Sequence, residues 1–453
     1  MMLRSPHSGC CWDSNFNMKH PFFPKIETQT VEEIRRFQDE KLREHLYYLH
    51  SFSPFYRQLF ADHRIDVRKI TGVDELVRIP PTSKKELHRQ NKEFLCVEKE
   101  KIVDYITTSG TQGDPVTFAL TEKDLDRLAY NEAISFACAE SRPGDIFQLM
   151  TTIDRRFMAG LAYFLGIRKL GGSIVRVGNG IPELQWDTIH RIEPDTIVVV
   201  PSFILKIIEY AEEHGIDYTS SSVKKAVCIG EPLRNQDLSE NTLARKIAEK
   251  WPLKLFSTYA STEMATTFTE CGAGQGGHHH PELIIIEFLD ENDQPVSEGE
   301  PGEVVVTPLG VEGMPLLRFK TGDVCSYYTD PCSCGRTTLR LGPVIGRKNQ
   351  MIKYKGTTLY PSSLYDILDG IEFVDNYVVE VSTNDIGTDE IVIHAGSKKN
   401  ISHLEKDIKD HFRAKLRVAP TVVFRSFEEI QRIQFPDNSR KSVKFIDSRE
   451  KLS

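Results

Sequence analysis

The 453-residue chain lacks any excess of positive charge: 57 Lys and Arg stand against 65 Asp and Glu, a formal net charge of −8. A surface of that sign argues against nucleic acid and anionic lipid as partners, since both require clustered cations. Long apolar runs are also missing. The best one, TIVVVPSFIL at 196–205, is interrupted by Pro201 and falls short of the roughly 18 residues that span a bilayer. The first 25 residues hold no apolar core with a small-residue cleavage site, which makes the cytoplasm the expected location. Nine cysteines, an odd number, form no disulfide framework of the secreted kind. Internal repeats and low-complexity tracts are absent too.

What remains is ordinary core-forming material, 40% hydrophobic and 27% charged. At about 150 residues per domain the length allows two to four domains. Ile34, Phe37, Leu42, Leu46 and Leu49 recur at near-helical spacing, which predicts an amphipathic helix over 31–61, interrupted near Ser53-Pro54. Between about 100 and 330, short apolar segments (FQLMTT, SIVRV, TIVVVP, KAVCIG, LKLFSTYA) alternate with helical ones (LDRLAYNEAISFACA, SFILKIIEYAEEHG). That alternation predicts an α/β fold around a parallel sheet. Residues 282–328 read as short antiparallel or barrel-like strands. Past 346 a smaller α+β unit follows. The expected division is a tail (1–30), a large α/β domain with parallel sheets and a small β-barrel-like region (31–346), and a smaller α+β domain (347–453).

Four segments carry chemistry. TTSGTQGDP (107–115) is a strip of hydroxyls and glycines whose backbone N–H groups can wrap an anion. It is not a Walker A loop, because Asp114 stands where a Gly-Lys-Ser/Thr ending is needed; a surface turn is the plain alternative. YASTEMA (259–265) follows an expected strand, where open α/β sheets bind ligands. Glu263 there suits Mg²⁺, while the plain alternative is a helix cap at Ser261 or Thr262. In PLLRFKTGD (315–323), Asp323 can accept from a ribose diol or close a turn. GRKNQMIKYKG (346–356) is a linker or the hinge of a moving lid. Separately, DPCSCGR (330–336) and ECGAGQGGHHHPE (270–282) supply Cys332, Cys334, Cys271 and three histidines. These make a Cys₃His set for structural Zn²⁺, or else reduced thiols in surface loops.

In this order the segments resemble the adenylate-forming enzymes, and among them the phenylacetate–coenzyme A ligase group. TTSGTQGDP resembles that superfamily's phosphate loop, YASTE its Tyr-Gly-x-(Ser/Thr)-Glu signature, RFKTGD its Arg-(Tyr/Phe)-Arg-Thr-Gly-Asp, and GRKNQMIKYKG its hinge. SPFYRQLF and IPPTSKKEL resemble N-terminal signatures of the phenylacetate branch and put Lys84 at its lysine. FPDNSRKSVKFID (435–447) is similar to the segment with the catalytic lysine, which would be Lys441. The likeness runs from about residue 30 to 450.

The resemblance implies that ATP and an aromatic, phenylacetate-like acid form an acyl-adenylate, and that coenzyme A then displaces AMP. An adenylating enzyme that loads a carrier protein, and a non-catalytic nucleotide-binding relative, are the alternatives. It further implies that Thr108, Ser109, Gly110, Thr111 and Gly113 hold the pyrophosphate end, and that Glu263 holds Mg²⁺. Gly230, Glu231 and Pro232 would form an adenine wall beside Tyr259, Ala260, Ser261 and Thr262. Asp323 would bind the ribose near Arg347. Some members carry a structural zinc here, and alignment favours His279 as its histidine, with His278 second. Homodimers occur in the group. Asp114, Ala260, Lys348-Asn349-Gln350 and Arg440 depart from the family pattern.

Overall fold

A computed structural model describes residues 20–108, 116–354, 357–384, 388–399, 402–436 and 442–449. The helix Val31–Phe52 begins at a capping box, in which Thr30 accepts from the Glu33 amide and Glu33 reaches back. It stops at Ser53, where Pro54 opens the next helix, Pro54–Asp62. The interruption falls where Pro can start a helix but not continue one.

The main sheet has six strands: β1 (Ile146–Leu149), β2 (Ser173–Arg176), β3 (Thr196–Val199), β4 (Lys225–Ile229), β5 (Lys254–Ser261) and β6 (Thr266–Thr269). Their order is β2-β1-β3-β4-β5-β6, parallel throughout except for β6. The chain steps from β1 out to β2, then crosses back to β3, so the strand order reverses at β1/β3. Open α/β sheets place ligands outside strand carboxyl ends near such a reversal.

Both faces of this sheet are covered, which is why its strands read as unbroken apolar runs. Phe147, Leu149, Val198, Val227 and Phe256 pack under the helices Glu122–Cys138 and Met158–Leu170. Ile197, Val199, Ala226 and Cys228 face the opposite way, against the helices Pro182–Ile192, Pro201–Glu213 and Thr242–Lys250.

The second half departs from one expectation and closes one alternative. The strands Ile284–Leu289, Gly302–Pro308 and Phe319–Cys325 pair antiparallel, and Thr82–Ser83 joins the last of them in parallel. This sheet stays open and does not close into a barrel. Residues 262–265 form a hairpin turn between β5 and β6, not a helix start.

From Ile352 onward the apolar side chains make their own core, including Val379, Val381, Ile391, Ile393, Ile408 and Phe412. Its sheet runs Thr421–Ser426, Asp389–Ser397, Asn376–Thr383, Phe445–Asp447. Arg449 reaches from beyond the last strand to the joint, donating to Met351 O at 2.7 Å and Asn349 O at 3.0 Å. No helix among the described residues is long and apolar enough to cross a membrane.

Candidate active site and buried cysteine–histidine cluster

Three expected site residues meet at the carboxyl end of β5. Tyr259 donates its hydroxyl to Asp323 Oδ2 at 2.8 Å, and Arg347 Nε lies 3.0 Å from Asp323 Oδ1. Backbone pairing sets this up, since Asp323 and Arg347 are register partners on adjacent antiparallel strands. Burial, reinforced by the Asp323 charge, pushes the Tyr259 phenol well above its usual range. Tyr259 therefore stays protonated and acts as a donor.

The neighbouring strand ends add the rest. Ile229 pairs with Thr258, which puts Gly230 next to Tyr259. Gly230 has φ +79°, a left-handed turn that a Cβ would strain. Glu231 turns to the helix Pro201–Glu213, accepting from Ser202 N at 2.9 Å and Ser202 Oγ at 3.0 Å. Pro232 holds the same loop by accepting from Asn241 Nδ2 at 2.8 Å.

In the hairpin turn, Ser261 Oγ accepts from Met264 N at 3.3 Å, and Thr262 and Glu263 are half-buried. Ala260 faces solvent opposite Thr267. Sequence reasoning missed the residue that secures this turn, Arg127. Its guanidinium donates to Ala265 O, to Leu309 O at 2.6 Å, and to Leu283 O at 2.6 Å. No clear signal in the sequence marks it, because the same helix also buries Asp124, Asn131 and Glu132.

Thr108 closes the neck of the hydroxyl-rich loop: its amide donates to Val116 O, and its Oγ1 accepts from Val116 N, both at 3.0 Å. Ser109, Gly110, Thr111, Gly113 and Asp114 lie outside the described residues, as does Lys441. Lys84 opens the helix Lys84–Arg89 beside the strand that carries Asp323. Within the joint, Lys348 Nζ pairs with Glu303 Oε2 at 2.8 Å.

A second constellation is fully enclosed. Cys271, His278, Cys332 and Cys334 are buried, and their ligand atoms all lie within 4.8 Å of one another. Cys271 Sγ is 3.5 Å from Cys332 Sγ, and Cys334 Sγ is 3.5 Å from His278 Nε2. Tetrahedral zinc with sulfur ligands at about 2.3 Å separates neighbouring donors by about 3.7 Å, so the cluster fits that metal.

His279, favoured by alignment, is corrected to His278. Strand alternation sends His279 to the other face, where its Nε2 approaches Ile284 O at 2.7 Å and its ring stacks on Phe268. Burial lowers its pKa to about 4. The period-2 rule applied to Gly277–His278 was the available signal.

The cluster's floor was not legible. Glu27, wholly buried, takes Arg336 Nε and His280 Nδ1 at 2.5 Å each. Burial alone would raise the Glu27 carboxyl, but Arg336 and then His280 outweigh it and hold it at about 2. Arg336 also donates to Cys334 Sγ at 3.5 Å.

Residues 48–311 match the model of the AMP-binding enzyme family. The phenylacetate–coenzyme A ligase of Thermus thermophilus is 31% identical over 79% of this chain and 80% of its own. That of Escherichia coli is 27% identical over 79% and 81%. Among solved structures, a 2-hydroxyisobutyryl-CoA ligase in its postadenylation state superposes with a TM-score of 0.81 at 19% identity, covering 94% and 92% of the chains. The same ligase in its thioesterification state gives 0.68. The chain belongs to the AMP-binding, adenylate-forming enzymes, in the group similar to phenylacetate–coenzyme A ligases.

Proposed function

We propose that the chain is an ATP-dependent acid–thiol ligase acting on an aromatic, phenylacetate-like carboxylic acid. The substrate carboxylate oxygen attacks the α-phosphorus of ATP and pyrophosphate leaves. The sulfur of coenzyme A then attacks the acyl carbonyl, and AMP departs with the electron pair. The observation that carries this reading is the Tyr259–Asp323–Arg347 chain at the carboxyl end of β5, with Gly230 alongside.

In this reading Asp323 accepts from the ribose hydroxyls, held in place by Tyr259 and Arg347. The Gly230–Pro232 turn walls the adenine, and the loop closed by Thr108 takes the phosphates on its N–H groups. The hairpin turn orients the Glu263 carboxylate, which would hold magnesium; bound there, the ion would neutralise phosphate charge. Residues 347–453 form the lid, turning on 347–350 and bringing Lys441 to the adenylation step. Zinc would be held by Cys271, His278, Cys332 and Cys334, where it would cross-link the two loops that carry them.

ATP–pyrophosphate exchange over a panel of aryl acids tests adenylation, and thioester formation with free coenzyme A tests the acceptor. Lys441→Ala should lose most exchange yet still convert pre-made adenylate to thioester. No exchange with any acid would overturn the reading.

A further inference from the structure

Outside the residues assigned above, the carboxyl ends of β1 and β2 enclose a cleft of about 290 Å³. Its walls include Thr151, Thr152, Arg155, Arg176, Gly178 and Asn179, with Asp154 as the one carboxylate. In a chain of net charge −8, two guanidiniums against one carboxylate leave a local excess of positive charge, with Asp154 Oδ2 lying 3.8 Å from Arg155 Nε at the exposed rim.

One wall is rigid. Gln185, itself buried, donates to Gly178 O and Gly180 O at 3.0 Å each and accepts from Gln148 Nε2 at 2.8 Å. Arg176 lies 5.6 Å from the Phe164 ring centroid, which holds its guanidinium at the rim.

The other wall is strained. Arg155 and Arg156 both adopt left-handed backbone, φ 57° and 60°, which costs on the order of 1 kcal/mol each in a non-glycine residue. Gly160 keeps this loop in place: a Cβ there would sit 2.1 Å from Thr152 O. The helix Met158–Leu170 then starts near the same strand end without a side-chain cap.

Position says what such a pocket serves. Thr107 donates to Arg156 O at 3.0 Å, which ties the arginine loop to the strand that enters the hydroxyl-rich loop. At about 4.8 Å per strand, β1 lies roughly 10 Å from β4, and β2 roughly 19 Å from β5. A molecule engaged at Tyr259 therefore reaches the cleft only through an extended part.

On the basis of the ligase reading, we propose that Arg155 and Arg176 form a phosphate-binding subsite for a phosphorylated reactant. The phosphate comes from the triphosphate end of ATP or from the nucleotide end of coenzyme A. Bidentate guanidinium contacts suit phosphate oxygens, and the exposed rim suits a group that binds and leaves each turnover.

The test uses the full-length protein and Arg155→Gln, Arg176→Gln and a control, Arg191→Gln, an exposed arginine outside the cleft lining. Calorimetric titration with inorganic pyrophosphate and with adenosine 3′,5′-bisphosphate reads the subsite without turnover. At least one should bind the wild type and weaken about tenfold or more in each cleft variant, the control being unchanged. In turnover, a higher KM for ATP assigns the triphosphate. A higher KM for coenzyme A, but not for its dephospho form, assigns the 3′-phosphate. Unfolding temperatures matching wild type show that the variants fold. Unaltered titrations and KM values in both variants overturn the subsite while leaving the ligase reading intact. Absence of exchange in the wild type, with titrations intact, would sink the ligase reading instead.

Discussion

The Tyr259–Asp323–Arg347 cleft and the cysteine–histidine cluster use similar materials to opposite ends. In the cleft, charged groups sit at strand ends with one face open: Arg347 is 39% exposed while its partner Asp323 is 10%. In the cluster, Glu27 is 0% and Arg336 1% exposed, and four metal-type ligands converge without solvent. Charges at a half-open site can exchange their partners for a ligand at modest cost. Charges sealed below the surface cannot, so that region is built to hold still.

Cys332→Ser should give the largest effect. Metal analysis should show zinc falling from about one per chain to near zero, with a large drop in unfolding temperature. Unchanged metal content and stability would erase the contrast. Glu27→Gln comes next, costing about 3–5 kcal/mol in denaturant unfolding, since it strands Arg336 without its carboxylate.

The pH dependence of Glu27 has a definite sign. Its carboxyl is depressed to about 2 in the fold, so its stabilisation is present above the unfolded value of 4.5. It is lost as pH falls from there through 2, and the variant should lack that acid slope.

Asp323→Ala should leave stability closer to wild type but lower kcat/KM for ATP by about 10²-fold, measured by exchange. A stability loss as large as that of Glu27→Gln would mean the cleft is as structural as the cluster. Smallest is Lys348→Ala. Its pair with Glu303 is 41% exposed on the lysine side, and its loss should cost no more than about 1 kcal/mol.

Much of the frame was legible because it rests on local pattern. All five segments read as parallel strands are β1 to β5, and the Ser53-Pro54 break separates two helices as expected. Asp323 and Arg347 came from motif, but the Tyr259 hydroxyl that joins them depends on a 64-residue separation that no local pattern encodes. Glu27 was invisible for the same reason: its partners lie 253 and 309 residues away. The alternative of a helix cap at Ser261 or Thr262 stayed open in the sequence because hairpin and helix starts share the same small polar residues. Choosing His279 over His278 failed because alignment by motif ignored the alternation of a two-residue strand.

Arg449 gives the small unit a mechanical property. By gripping Asn349 and Met351, it ties the strand Phe445–Asp447 to the joint between the two units. The two ends of that unit are thereby cinched together. In the lid motion proposed above, a twist at that joint would carry the strand with it as a crank carries its handle.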